Sequence, residues 1–401
     1  MIKLVRITTV PISLHKLING QANFMQKHGF EVHLLSAKGK EIKSIEAETK
    51  IKVKTFPYTR EISPFTDIKA LWLTYKYFRK LKPQIVHTHT PKAGIVGMLA
   101  AKFAGVPVRM HTVAGLPLME ASGIKRFILN SVERLTSWAA TNIYPNSIAL
   151  KAFMLQENLA NKNKLKVIGY GSSNGINTSV FDKKLINKAK TSTALQIKPQ
   201  EVVFCFVGRI VKDKGIDELL YAFDKLSKIN KQAKLLLVGS QEKQLDPISN
   251  KSQYILEQNK QIISVGWQQD VRPFLAVADV FVFPSYREGF PNVVLQASAM
   301  QLPCIVSNIN GCNEIIKNNV NGIIIPVKDK NILFDKMNML LEDKIRRENL
   351  AKPARQMIID KYEQKFVWQE LLKEYKERLK DLRIERNRKQ ETGGKSKRLK
   401  D

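Results

Sequence analysis

Residues 280–326 read VFVFPSYREGFPNVVLQASAMQLPCIVSNINGCNEIIKNNVNGIIIP, and this stretch decides the fold. An apolar, β-rich run breaks at Pro284, and a helical pattern follows the polar loop after it. A short second strand, 304–307, comes next, and Gly311 begins another helix. Strand, loop, helix and strand at this spacing predict a βαβ unit of a parallel sheet. Ligands bind such sheets beyond the carboxyl ends of the strands, so the loops around Glu288 and Gly311 are candidate site loops.

The same alternation of strand and helix patterns runs through both halves of the chain. The segment 169–177, GYGSSNGIN, is the clearest boundary by composition. Near the end, residues 366–384 have a helical pattern with one apolar face, and a charged remainder follows. We therefore predict a first domain over 1–170, a second domain over 171–361, a terminal helix over 362–384 and a basic disordered tail over 385–401.

The chain of 401 residues carries a formal net charge of +30. Such a charge predicts an anionic partner, and we favour a membrane surface over bland colloidal charge. No zinc-finger, homeodomain or RNA-binding pattern is visible, so no nucleic-acid partner is expected. Three sparse cysteines without metal-type spacing suit a reducing cytoplasm. Neither a signal peptide nor a run of roughly 18 apolar residues is found, so we expect a cytoplasmic protein without a membrane span.

The run REGFPNVVL, residues 287–295, resembles the nucleotide-sugar signature of glycosyltransferase family 4. Members of that family have the two-domain GT-B fold and are retaining transferases. Their motif is a glutamate, seven residues and a second glutamate; here Glu288 fills the first position and Gln296 the second. The resemblance implies that Glu288 contacts the donor sugar and that position 296 holds the ribose hydroxyls. Glutamine keeps an acceptor oxygen but lacks a carboxylate's charge-assisted strength, so we expect weaker ribose binding.

By resemblance, Arg209 and Lys214 in the loop after strand 201–207 form a cationic clamp on the donor diphosphate. A diphosphate leaving group gains charge in the transition state, and two fixed cations can stabilise it without a metal. We therefore expect no metal and no cofactor beyond the nucleotide-sugar substrate. The loop at Gly266 and Trp267 matches the family's base-binding loop, although Trp267 could equally be a packing residue. The remaining donor-side residues that the resemblance implies are Gly289, Phe290, Pro291, Asn292, Gly311 and Glu314.

Two histidines, His89 and His111, lie just past predicted strand ends in the first half. A lone histidine is usually structural, but two at equivalent positions could also orient or deprotonate an acceptor hydroxyl. By resemblance, His111 lies near the acceptor and the donor phosphates, and it joins Glu288, Arg209 and Lys214 as a catalytic candidate. His89 matches a neighbouring acceptor-side loop. The other acceptor-side candidates are Lys92, Gly115 and Asn174.

The helical pattern at 123–140 mixes basic residues with apolar and aromatic ones. Such a composition suits a helix that lies on anionic lipid. The alternative is a core-packing helix with a solvated face.

Together these features predict an α/β protein with two doubly wound, Rossmann-like parallel-sheet domains that face a central cleft. The resemblance implies a bacterial hexosyl- or N-acetylhexosaminyltransferase with UDP as the expected nucleotide. Its acceptor is expected to be a lipid-linked glycan in surface polysaccharide biosynthesis, at the inner face of the cell membrane. Two alternatives stay open: a UDP-N-acetylglucosamine 2-epimerase of the same fold, and a non-catalytic binder of anionic membranes.

Overall fold

The computed structural model describes residues 1–18, 20–61, 63–116, 118, 121–242 and 246–397, with side chains at all of these positions except 16–18 and 383–397. The chain divides into two compact units. One unit comprises Met1–Asn174 with Phe366–Asp401, and the other is Gly175–Lys365. The first crossing therefore lies inside the glycine-rich segment 169–177, and both crossings fall slightly later than the predicted boundaries.

The first unit contains a six-stranded parallel sheet in the order β3-β2-β1-β4-β5-β6. Its strands are β1 (Ile2–Ile7), β2 (Phe30–Ser36), β3 (Val53–Thr55), β4 (Ile85–His89), β5 (Val108–Val113) and β6 (Asn142–Pro145). Its helices before the crossing are α1 (Pro11–Ile18), α2 (Gln21–Lys27), α3 (Ile42–Thr49), α4 (Pro64–Leu81), α5 (Pro91–Phe103), α6 (Gly123–Ala139) and α7 (Ile148–Gln156). The strand order reverses between β1 and β4, which makes their carboxyl ends the switch point of this sheet.

A close contact interrupts the first helical region at Gly20, between α1 and α2. Gly20 has φ of 77°, and a Cβ atom there would lie 2.4 Å from the ring of Trp368. Glycine is the residue that accepts both the left-handed backbone and this contact. The spacing of apolar residues alone does not reveal the break, because the side chain that requires glycine here, Trp368, lies far along the chain.

The second unit also contains a six-stranded parallel sheet, in the order β12-β11-β10-β7-β8-β9. Its strands are β7 (Val202–Val207), β8 (Ala233–Val238), β9 (Ile262–Ser264), β10 (Val280–Phe283), β11 (Cys304–Ser307) and β12 (Gly322–Ile325). Its helices are α8 (Lys188–Ala194), α9 (Ile216–Ile229), α10 (Asn250–Gln258), α11 (Arg272–Val277), α12 (Asn292–Ala299), α13 (Cys312–Ile315), α14 (Lys330–Glu342) and α15 (Lys344–Tyr362). The order reverses between β7 and β10.

The two central strands of this second sheet are continuous apolar runs, VVFCFV in β7 and VFVF in β10, and every side chain in them is buried. Strands covered by helices on both faces require this pattern. Cys205, Cys304 and Cys312 are buried thiols. Their burial raises the pKa of each thiol, so these cysteines are packing residues.

The last helix, α16 (Gln364–Lys397), packs its apolar face into the core of the first unit through Leu371, Leu372 and Tyr375. Residues 385–397 of the predicted tail continue this helix, and residues 398–401 lie outside the described residues. The tail is rich in lysine, arginine, glutamate and glutamine, and these residues have high helix propensity. Among the described helices, none combines the length and the apolar content needed to cross a bilayer.

Candidate active site

The loops after β7 and β10 meet at the switch point of the second sheet. Gly215 begins α9 with φ of 68°, and a Cβ atom there would lie 2.1 Å from the carbonyl oxygen of Pro284. Glycine therefore permits the close approach of the two loops. This approach brings together two predicted site residues: Lys214 Nζ lies 2.7 Å from Glu288 Oε1, and both side chains are mostly buried.

Arg209 lies at the beginning of the loop after β7 and points to a carboxylate of the neighbouring loop. Its Nη1 atom donates to Glu242 Oε2 at 2.8 Å. Partial burial acts to lower the pKa of the Arg209 guanidinium, but the hydrogen bond and charge of Glu242, followed by the charges of Asp213 and Glu288, outweigh it and raise that pKa. Arg209 is therefore a permanent cation at this edge of the sheet.

Two further charged residues, Asp213 and Arg287, belong to the same cluster, and the sequence reasoning did not select them as site residues. Arg287 Nη2 donates to Asp213 Oδ2 at 3.1 Å. The same carboxylate oxygen lies 4.0 Å from Arg209 Nη2 and 4.0 Å from Lys214 Nζ. Their positions in the sequence could have identified them, because each lies next to a predicted site residue: Asp213 precedes Lys214, and Arg287 precedes Glu288.

The loop after β11, which ends at Gly311 before α13, packs directly against the Glu288 loop. Gly311 has φ of 73°, and a Cβ atom there would lie 2.8 Å from the carbonyl oxygen of Gly289 and 2.8 Å from Pro291 Cδ. Burial, followed by the negative charge of Glu288, raises the pKa of the Cys312 thiol well above its ordinary value. The structure therefore brings the two predicted loops together.

Other donor-side candidates have different surroundings. Phe290 is buried and packs against the ring of Tyr362, with centroids 5.3 Å apart, so it is a packing residue. Asn292 is the first residue of α12. Glu314 lies in α13, and its carbonyl oxygen accepts a hydrogen bond from Tyr362 Oη at 3.3 Å. Gln296 is half-buried on α12.

The loop after β9 contains Gly266 and Trp267. Gly266 has φ of 67°, and its carbonyl oxygen accepts a hydrogen bond from the backbone nitrogen of Gly239 at 2.8 Å. Trp267 is 62% exposed, which excludes the core-packing alternative for this residue. A second contact joins the neighbouring loops, because a Cβ atom on Gly239 would lie 1.7 Å from the carbonyl oxygen of Gly208.

In the first unit, the side chain of His111 in β5 is buried against α5. Its Nδ1 atom lies 2.8 Å from Thr88 Oγ1, and a Cβ atom on Gly94 would lie 2.5 Å from its Cε1. Burial lowers the pKa of His111 to about 4. The ring is therefore neutral at neutral pH, where it is a weak base but still a hydrogen-bond partner.

His89 is also buried, and it contacts a buried arginine. Its Nε2 atom accepts from Arg6 Nε at 3.1 Å and lies 2.8 Å from Arg6 Nη2. Burial, followed by the positive charges of His87 and Arg6, lowers the pKa of His89 well below its ordinary value. Arginine only donates, so the neutral ring carries its proton on Nδ1. His89 is thus positioned as an internal support for Arg6.

The remaining acceptor-side candidates are also held within the first unit. The Asn174 side chain is buried, and its Oδ1 atom accepts from Gln21 Nε2 at 2.8 Å and from Trp368 Nε1 at 2.7 Å. Lys92 forms an ion pair with Asp67 of α4. Gly115 has φ of 154° directly after β5. Within the described part of the chain, no group of three or more His, Cys, Asp or Glu side chains is arranged to hold a metal ion.

Family models match segments of both units. Residues 12–147 match the family described as glycosyl transferase 4-like, and residues 187–357 match glycosyl transferases group 1. The chain is 35% identical to the capsular polysaccharide biosynthesis glycosyltransferase CapM of Staphylococcus aureus, over 94% of this chain and 98% of CapM.

A second relative is the UDP-Gal:α-D-GlcNAc-diphosphoundecaprenol α-1,3-galactosyltransferase of Escherichia coli, which is 31% identical over 75% of this chain and 77% of its own length. Anabaena HepE in complex with UDP has a similar fold, with a TM-score of 0.77 at 16% identity over 94% of this chain and 100% of that one. The fold is GT-B. The chain belongs to glycosyltransferase family 4 and is a glycosyltransferase of polysaccharide biosynthesis.

Proposed function

We propose that this protein transfers a hexosyl or N-acetylhexosaminyl group from a UDP-sugar to a lipid-linked glycan, with retention of configuration. The observation that carries this proposal is the Lys214–Glu288 pair, 2.7 Å apart, at the switch point of the second sheet. Cations at this position suit a diphosphate, and an adjacent carboxylate suits the hydroxyl groups of a sugar.

The nucleotide and the acceptor are inferred from the relatives. The Escherichia coli relative is named for UDP-Gal and for a diphosphoundecaprenol acceptor, and HepE was solved in complex with UDP. We extend both chemistries to this chain: a UDP-sugar donor and an acceptor on a polyprenyl diphosphate. The strongly basic composition, with a net charge of +30, supports an anionic acceptor.

In the proposed reaction, the bond between the anomeric carbon and the diphosphate oxygen breaks. A bond to the acceptor oxygen forms on the same face, and the acceptor proton passes to the departing diphosphate. Lys214 and Arg209 stabilise the charge that develops on that diphosphate. Glu288 orients the sugar through its hydroxyl groups. His111 is not the general base of this step, because it is buried beside Thr88 and a group with a pKa of about 4 is a poor base at neutral pH.

The test uses the full chain, a panel of UDP-sugars and a synthetic polyprenyl-diphosphate-linked monosaccharide. Mass spectrometry follows the acceptor, and NMR of the product assigns the new anomeric configuration. We expect one UDP-sugar to give an extended lipid product with the donor's configuration, together with UDP release that requires the acceptor. Isomerisation of the donor without an acceptor would favour the epimerase alternative, and an inverted product would contradict the retaining mechanism.

We also propose that the first unit binds an anionic membrane surface through α6. The burial pattern of this helix is the reverse of that of an ordinary surface helix: Glu133 and Thr136 are buried, whereas Ile124 is 80% exposed and Phe127 is 71% exposed. Exposed apolar side chains on a soluble unit indicate an interaction surface. They also argue against the core-packing alternative for this helix.

Basic residues accompany aromatic ones on the same layer of helices. Lys102 Nζ lies 4.1 Å from the centre of the exposed Trp138 ring, and Lys76 Nζ lies 3.4 Å from the centre of the Trp72 ring. The helices α4 and α6 both pack against α5, so these groups belong to one layer. Apolar groups with adjacent lysines match the boundary between acyl chains and anionic headgroups.

Flotation with vesicles tests this surface. We expect the protein to float with vesicles that contain phosphatidylglycerol and to dissociate as the salt concentration rises. Ile124→Ser should weaken flotation, whereas Ile345→Ser, which changes a 72% exposed isoleucine in the second unit, should not. Absence of binding to anionic vesicles at low salt, or equal effects of the two variants, would refute the assignment of this surface.

A further inference from the structure

Among the described residues, three cations of the candidate donor site each have a carboxylate close by at the carboxyl edge of the second sheet. The pairs are Lys214 with Glu288 at 2.7 Å, Arg287 with Asp213 at 3.1 Å and Arg209 with Glu242 at 2.8 Å. An incoming diphosphate must therefore compete with carboxylates that are already in place.

The three pairs differ in burial. The Lys214 and Glu288 side chains are 13% and 21% exposed, whereas those of Arg209 and Glu242 are 45% and 31% exposed. An exposed ion pair contributes little net stability, because water screens it and both side chains lose rotational freedom. The pair between Arg209 and Glu242 is consequently the one that a ligand can displace most easily.

Backbone contacts keep Glu242 beside Arg209. The loop that carries Glu242 follows β8, and the backbone nitrogen of Ile210 donates to the carbonyl oxygen of Ser240 at 2.8 Å. The approach of Gly239 to the carbonyl oxygen of Gly208 joins the same two loops. The backbone that leads to Glu242 is therefore held close to the Arg209 guanidinium group.

We propose that Glu242 is an internal competitor for Arg209. Without a nucleotide, the Glu242 carboxylate pairs with the Arg209 guanidinium; when a nucleotide binds, its diphosphate displaces the carboxylate and takes over this interaction. This inference rests on the proposed function, in which Arg209 binds the donor diphosphate. Carboxylates and phosphates both accept hydrogen bonds from the donors of arginine, so a diphosphate that binds Arg209 Nη1 displaces the Glu242 carboxylate from that atom.

The competition should act more strongly on the product than on the donor. Free UDP has a terminal phosphate and hence more negative charge than a UDP-sugar. The repulsion that the Glu242 carboxylate exerts on a bound nucleotide grows with the charge of that nucleotide. Glu242 thus favours the release of UDP after transfer.

Calorimetric titration of the full chain with UDP tests the proposal through Glu242→Gln. We expect this variant to bind UDP about two- to fivefold more tightly than the wild type, the range that an exposed ion pair supports. The gain should be smaller for a UDP-sugar and should shrink as the salt concentration rises. Glu348→Gln is the matched control, because it neutralises an exposed carboxylate that pairs with Lys344 at 3.8 Å outside the site.

Arg209→Ala separates failure of this inference from failure of the proposed function. If Arg209→Ala weakens UDP binding while Glu242→Gln leaves it unchanged or weaker, Glu242 is no competitor, and the diphosphate site stands. If Arg209→Ala leaves UDP affinity unchanged, the diphosphate site and the competitor both fail. A Glu348→Gln variant that tightens UDP binding as much as Glu242→Gln would show a general charge effect and would also overturn the inference.

Discussion

Both units place polar residues at the switch point of a six-stranded parallel sheet, yet the two clusters differ in kind. In the second unit, Lys214 pairs with Glu288 and Arg209 remains partly exposed, so charged groups are accessible from solvent. In the first unit, His89 and Arg6 are buried, and burial lowers the pKa of both groups. The same topological position therefore supports either a charged binding site or an internal framework, and burial decides which.

This difference predicts separate consequences for substitutions in the two units. Changes among the charged residues of the second unit should alter binding and turnover with little effect on folding. Changes among the buried residues of the first unit should alter stability and its dependence on pH.

Lys214→Ala should lower the rate of sugar transfer by about a hundred- to a thousandfold, because it removes a preorganised cation from a developing negative charge. Glu288→Ala should be comparably inactive. Single-turnover measurements with saturating acceptor report the chemical step, and Lys228→Ala is the control, since Lys228 pairs with Asp224 on the exposed face of α9. Rates near the wild-type value in both site variants would remove the donor-site assignment.

Acidification should destabilise the first unit through His111. Its folded-state pKa of about 4 lies below the ordinary value of 6.5. Its contribution to the free energy of unfolding is therefore fully present above pH 6.5 and is lost as the pH falls towards 4. The loss for this residue is on the order of 3 kcal/mol. Urea unfolding of wild type and His111→Asn, followed by tryptophan fluorescence, measures this loss. The difference between the free energies of unfolding of the two proteins should shrink as the pH falls.

The part of the acid response that is common to both proteins cancels in that comparison. Burial also lowers the pKa of His87 and of His89, which acts in the same direction, whereas burial raises the pKa of Glu133 to about 7, which acts in the opposite direction. A difference between wild type and His111→Asn that stays constant from pH 7.5 to pH 4 would show that His111 is not held in its neutral form by the fold.

Gln296→Glu should give the smallest effect. A charge-assisted hydrogen bond to ribose hydroxyls in place of a neutral one is worth about 1 kcal/mol, or about fivefold in UDP affinity. Titration with UDP measures this gain, and Gln296→Ala should give a loss. If Gln296→Glu tightens binding strongly and transfer is absent in both forms, the non-catalytic alternative gains support.

Much of the second unit follows from its sequence. The runs at 280–283 and 304–307 are apolar, short and bounded by proline or polar loops, so strands are the structure that they favour. The loops after them carry Glu288 and Gly311, and the structure places these loops in contact. Local patterns were sufficient here because β10, β11 and the two loops after them follow each other closely along the chain.

The first unit shows where such reasoning stops. Arg6 lies in the strand IKLVRI, where a charged residue among apolar ones normally faces water. It is buried because distant elements cover it: Gln21 of α2 accepts its hydrogen bond, and Tyr375 of α16 bonds to the neighbouring His87. The pairing of Arg209 with Glu242 was hidden for a similar reason, since it joins two loops that follow different strands.

The second unit is a single continuous segment whose two ends lie side by side. The backbone nitrogen of Ile176 donates to the carbonyl oxygen of Tyr362 at 2.8 Å, and that of Gln364 donates to the carbonyl oxygen of Ile176 at 3.0 Å. Two adjacent cuts therefore separate residues 175–365 as one segment and leave nearly all of α16, from residue 366 onwards, with the first unit. Recombination between relatives at these two points would exchange Arg209, Lys214 and Glu288 together and would leave the buried histidines of the first unit unchanged.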